Sequence, residues 1–175
     1  MGTKIGNFVL KKKEKKVVRA KKLFNLESAK VFGVFFNVTD DADFEKVKKL
    51  LKDLSAMGKN VFALGYVPKK EVPQQYLMLQ KINFFAKKDL NWYGKPQIES
   101  VEEFINKDFD VLIDLNFKPS FVSEWVLRLS RAKLKIGKQQ DDIAWYDFMI
   151  TTTSNDIKYF NEQVIFYLEK IKLVN

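Results

Sequence analysis

Five polar residues stand at or just past the predicted ends of strands, and chemistry in this chain would start from them. Asp40 and Asp41 follow the apolar run 31–38, Asp114 and Asn116 close the run 109–115, and Thr151 follows 146–150. If the sheet is parallel, these strand ends share one edge, the edge at which open α/β sheets bind ligands. Asp114 leads the set, because a carboxyl at a buried strand end can serve as a proton carrier or ligand anchor; the plainer role is a cap or turn. Thr151 opens the run Thr151, Thr152, Thr153, Ser154, which could touch a ligand or simply cap the last helix.

The chemistry open to this set is narrow. The 175 residues hold no cysteine and no histidine, which excludes disulfides, thiolate nucleophiles, Ser-His-Asp and Cys-His arrangements and the usual zinc sites. Only Asp, Glu, Lys, Tyr, Ser and Thr remain as reactive groups, and no metal site is expected. Nucleotide-binding α/β proteins place a glycine-rich phosphate loop after the first strand. Here that turn reads Asn37, Val38, Thr39, Asp40, Asp41, with Asp43 following and no glycine. An anion would be repelled there, so no cofactor is expected.

Charge points elsewhere. Residues 1–30 carry ten basic side chains against Glu14 and Glu27, so +8 of the formal net charge of +9 lies in this segment and the rest of the chain is nearly neutral. The segment reads as a basic arm or helix whose apolar ends (Ile5, Phe8, Val9, Leu10; Val17, Val18, Leu23, Phe24) dock on the body while the lysine run stays solvated. Lys11, Lys12, Lys13, Lys15, Lys16, Arg19, Lys21 and Lys22 are the candidate contacts to a polyanion such as RNA. A solvated helix or unstructured leader without a ligand is the alternative. A second candidate surface is the loop KKDLNWYGKP (87–96), where Trp92 and Tyr93 could stack on a base or sugar while Lys87, Lys88 and Lys95 meet phosphates. The same aromatics could instead fold back as a lid over the sheet edge.

The elements that would hold these residues follow from periodicity. Strands are predicted at 31–38, 61–67, 82–86, 109–115, 134–137 and 146–150. Phe44, Val47, Leu50, Leu51 and Leu54 give the first body helix an apolar face that ends at Gly58. Short helices are expected at 73–79 and 101–106. Pro119 is expected in the first turn of a helix carrying Phe121, Trp125, Val126 and Leu129 on one side, and a last helix spans 156–173. Strands alternating with helices predict a three-layer α/β sandwich around a mainly parallel sheet of five to six strands, Rossmann-like or flavodoxin-like. Residues 1–30 form the arm and residues 31–175 one α/β domain, long enough for a substantial core given sixteen phenylalanines. No apolar run approaches a membrane span and no secretory signal is seen, so a cytoplasmic protein is expected.

Two resemblances add to this reading. The run FDVLIDLN (109–116), the Leu- and Ser-rich helix after it and RAKLKIGK (131–138) resemble the N-terminal half of heptosyltransferase-like glycosyltransferases. That likeness implies the Rossmann-like framework. The family's Gly-Asp pair in the first loop has no counterpart here, and its nucleotide-sugar site lies largely on a second domain, so the likeness does not imply the reaction. The whole chain is similar to an uncharacterised protein family of the Bacteroidota, a domain of unknown function, whose members pair a basic N-terminal segment with text like ALGYV (63–67), KKDLNWYGKP and FDVLIDLN. The expected function is a non-catalytic binding module that associates with RNA or the ribosome through its lysine-rich arm. The alternatives are a peripheral scaffold on an anionic membrane surface using the same arm, and a degenerate sugar- or nucleotide-binding domain.

Overall fold

The computed structural model describes residues 2–141 and 143–173. Six strands, β1 (Val31–Asn37), β2 (Asn60–Val67), β3 (Ile82–Ala86), β4 (Val111–Asp114), β5 (Leu134–Lys138) and β6 (Phe148–Ile150), form one sheet in the order β3-β2-β1-β4-β5-β6. Every pairing is parallel, as the doubly buried strand sequences predict. The chain order reverses between β1 and β4, so the crevice expected of such sheets opens at their carboxyl ends.

Side-chain alternation divides the core. From β1, Phe32, Val34 and Phe36 point to one face and meet α2 (Asp41–Ala56) and α6 (Ile157–Lys170). Phe35 points the other way, with Leu64, Phe85 and Leu112, toward α4 (Glu99–Asn106) and α5 (Phe121–Leu129). A short helix α3 (Gln74–Leu77) precedes β3. At Gly33 a Cβ would stand 2.9 Å from the ring of Phe109, so this strand glycine makes room for a core phenylalanine.

The basic N-terminal segment is ordered against this body. Helix α1 (Gly2–Glu14) lies along α5 in the same direction, with Gly6 beside Phe121 and Glu14 ion-paired to Arg128 at 2.5 Å. Leu10 is fully buried in the α5-side core. Residues 15–24 then cross the amino edge of the sheet: the Lys22 N–H donates to the Lys133 carbonyl ahead of β5, and Phe24 enters the core on the α2 and α6 side.

Boundaries differ from the sequence expectation where polar groups intervene. Helix α5 starts at Phe121, because Ser120 accepts the Ser123 N–H and Ser123 Oγ accepts the Ser120 N–H; this reciprocal cap places Pro119 outside the helix. The strand expected at 109–115 narrows to β4, since Asp110 turns its carboxylate back to the N–H groups of Lys30 and Val31. The strand expected at 146–150 narrows to β6, because Tyr146 and Asp147 use their side chains on β4 and β5.

Candidate functional site

The parallel sheet brings all five strand-end residues to its carboxyl edge, yet hydrogen bonds join only two of them. Asp114 is 1% exposed, and its Oδ1 accepts from the Asn116 N–H at 3.1 Å and the Asn116 Nδ2 at 2.6 Å. The Tyr146 hydroxyl donates to Asp114 Oδ2 at 2.5 Å, and Asn116 Oδ1 receives the Asn37 N–H from β1 at 2.7 Å. Asn116 thus ties the ends of β1 and β4 together across the topological switch. Burial pushes the Asp114 carboxyl up to about 7, against the three donors that hold it down. Burial and the neighbouring carboxyl push the Tyr146 phenol up as well. Such a pair can hold a proton near neutral pH, but Asp114 has no open face toward a substrate, so its work is internal.

Tyr146 owes its position to a glycine. At Gly137 a Cβ would overlap Cζ and Cε1 of the Tyr146 ring, without room for either. Gly137→Ala is therefore expected to push the ring off Asp114 and cost about 1 to 3 kcal/mol of stability. Urea unfolding checks this; an unchanged midpoint would show that the ring is not seated there.

The remaining edge residues serve separate local structures. Asp40 caps α2 by accepting the Asp43 N–H at 2.8 Å, and Asp41 accepts the Tyr76 hydroxyl at 2.7 Å. Thr151 bonds Gln139 across the ends of β6 and β5. Among the described residues no group of acidic side chains is placed to hold a metal ion.

The loop 87–96 is held by its own backbone. Asn91 Oδ1 accepts the N–H groups of Tyr93 and Lys95, Gly94 turns with φ of 92°, and Leu90 bridges to Pro96. Tyr93 packs inward beside Phe121, while Trp92 remains 71% exposed, edge-on to Tyr93 with ring centroids 5.1 Å apart. Lys95 approaches the Trp125 ring, and Lys87 and Lys88 are exposed beside the 69–70 loop, whose carbonyls accept their backbone N–H groups. Lys88 stands 4.0 Å from Glu71.

The basic segment separates into two functions. Arg19 is committed to the fold: it grips Asp147 through both carboxylate oxygens and donates to the carbonyls of Ala132 and Lys133. Lys21 reaches the same Asp147 at 3.3 Å while staying largely solvated. Lys11, Lys12, Lys13, Lys15, Lys16 and Lys22 are exposed, and none of them pairs with a carboxylate among the described residues. Lysines in the last turn of α1 also complement its dipole. Of the apolar ends expected to dock on the body, Val9, Leu10, Val17 and Phe24 do so, whereas Ile5, Phe8, Val18 and Leu23 are exposed. No helix among the described residues is long and apolar enough to cross a membrane.

Sequence reasoning missed Tyr146, Asn37, Tyr66 and Lys135. Tyr146 and Tyr66 read as ordinary strand aromatics, and Asn37 as turn. Lys135 sits in β5 almost fully buried, donating to the Leu127 carbonyl at 2.5 Å; burial, with Arg19 nearby, pushes it down to about 7. The only sequence signal for it was a lysine between apolar residues in a doubly buried strand.

No curated protein matches the chain. Among solved structures it is similar to E. coli heptosyltransferase WaaC with ADP, at 14% identity and a TM-score of 0.46, over 75% of this chain and 46% of that one. The chain thus spans under half the length of that structure. Residues 3–171 match a family described as a family of unknown function, DUF6913, and since the match runs through nearly the whole chain, the protein belongs to that family.

Proposed function

We propose that this chain is a non-catalytic α/β module that binds RNA, with ribosomal RNA as its natural class of partner, through the lysines of α1 and the segment after it. One observation carries this reading. The segment is docked by Leu10, the Glu14–Arg128 pair and Arg19, so Lys11, Lys12, Lys13, Lys15, Lys16 and Lys22 stand exposed and free of carboxylates on an ordered support. Pre-organised cations lose less entropy on meeting phosphates than a floppy tail would. Lysines neutralise backbone charge without reading bases, so binding of modest sequence preference follows. An anionic membrane surface would meet the same lysines, but the exposed apolar side chains of the segment, Ile5, Phe8, Val18 and Leu23, stand apart on either side of the lysine run and make no continuous stripe to enter it, which favours RNA.

Replacing the six lysines by glutamine tests the reading. Each phosphate contact contributes about −0.7 to the slope of log affinity against log salt for a single strand, so six contacts give a slope on the order of −4. The variant is expected to keep its unfolding midpoint and to lose most of that slope and of its low-salt affinity. Equal affinity and slope in the two proteins would overturn the reading. A preference for anionic vesicles over RNA in the wild-type protein would assign the lysines to a membrane instead.

A further inference from the structure

At the carboxyl edge of the sheet, beside the switch between β1 and β4, Tyr66, Tyr93, Gly94, Ser120, Phe121 and Val122 line an open groove of about 480 Å³, with Trp92 at its rim. We infer that this groove takes a base of a single-stranded RNA, as a stacking subsite of the same RNA that the α1 lysines hold; the inference rests on the RNA reading above.

Three independent observations meet here. Trp92 is 71% exposed on a loop whose conformation is fixed by Asn91 and by the Leu90–Pro96 bridge, so a large aromatic face is held in water instead of being folded away. Tyr66 is 7% exposed, yet its hydroxyl has no hydrogen-bond partner among the described residues and it lines the groove, leaving a donor and acceptor for the edge of a planar ring. Lys69, Lys70, Lys87 and Lys88 are exposed on the two adjoining loops, whose acidic residues are Glu71, 4.0 Å from Lys88, and Asp89, which accepts the Ala86 N–H. Aromatic faces beside exposed lysines are the composition of single-strand stacking platforms, which accept any base because every base has a π-face.

The groove also connects to the lysine surface. Gly6 near the start of α1 touches Phe121 and the Tyr93 carbonyl, where a Cβ would stand 2.7 and 2.9 Å away. Along α1 the rise from Gly6 to Lys11–Lys13 is about 8 to 10 Å. One strand can therefore place a base in the groove and its following phosphates along the helix.

The test titrates the wild type, Trp92→Ala, Tyr66→Phe and the six-lysine variant into fluorescein-labelled oligouridine of about 12 nucleotides, within the usual site size of such platforms, following the label's anisotropy at low salt, and reads the indole fluorescence of the wild type alongside. Trp125 is buried and Trp145 half-buried against the α5-side core away from the groove lining, so stacking should quench chiefly Trp92. Trp92→Ala is expected to bind roughly 5- to 150-fold more weakly. Tyr66→Phe should bind about 2- to 12-fold more weakly with an unchanged thermal midpoint, because its hydroxyl supports nothing in the fold. A duplex of equal charge should not quench. If Trp92→Ala and Tyr66→Phe bind like the wild type while the six-lysine variant does not, the groove inference falls and the RNA reading stands. If no protein binds the oligomer, both fall. Quenching by uridine monophosphate as strong as by the oligomer would overturn the polymer subsite in favour of a free nucleotide.

Discussion

Asp114→Asn is expected to make the protein more stable at pH 8 and far less sensitive to pH between about 4 and 8. In the wild type the carboxyl is buried at the end of β4, and its folded value of about 7 lies above the ordinary 3.8 it regains on unfolding. A folded value raised in this way means that stability is complete below about pH 4 and is lost as pH rises toward 7, because over that range the unfolded chain gives up this proton while the buried carboxyl must keep it. The difference between the two values corresponds to on the order of 4 kcal/mol. Asparagine keeps the shape: its Oδ1 can accept the Asn116 donors and its Nδ2 can donate to the Tyr146 oxygen. It cannot ionise, so the loss should vanish. Asp110 and Asp147 are held below the usual carboxylate range, where stability is lost only as pH falls through their folded values. Their contribution sits at the acid end and does not overlap the Asp114 window. Urea unfolding of both proteins at about pH 4.5, 6 and 8 decides the matter; a wild-type stability that is flat over this range would refute the assignment.

The architecture was legible because it rests on apolar runs. VFGVFFN, NVFALGYV and VLID are continuous apolar stretches, and a strand buried on both faces leaves that mark in any context. Gly58 also ended its helix as expected, with φ of 75°. The convergence of Asp114 and Asn116 with the ends of β1 followed from a parallel sheet. What the sequence did not show are pairings across large separations. Tyr146 meets Asp114 only because Gly137 lacks a Cβ, and Arg19 meets Asp147 across more than a hundred residues. Charge composition treats Arg19 and Lys16 alike. Their neighbours divide them, since carbonyls at the head of β5 and a carboxylate ahead of β6 converge on the guanidinium, while no carboxylate among the described residues meets Lys16.

That division yields the second large effect: Arg19→Ala is expected to cost about 2 to 4 kcal/mol of stability, whereas no single exposed lysine of the segment should cost more than about 0.5. The Arg19 side chain is 12% exposed. Its Nε and Nη2 donate to the Ala132 carbonyl at 2.9 and 2.7 Å, and its two terminal nitrogens hold Asp147 at 3.1 and 2.5 Å. Alanine leaves that carboxylate, itself mostly covered, without its bidentate partner and leaves the Ala132 carbonyl short of donors. The figure is kept below that for a fully buried pair because Lys21 and water still reach Asp147. Lysine at position 19 retains the charge but cannot span both oxygens and the carbonyl at once, so Arg19→Lys should recover less than half of the loss. Chemical denaturation of the three proteins measures the effect. RNA titration of Arg19→Lys supplies the counterpart: affinity and salt slope should stay near wild type, because the guanidinium faces the fold. An Arg19→Ala protein with a wild-type midpoint and a weakened grip on RNA would move Arg19 from the framework to the binding surface.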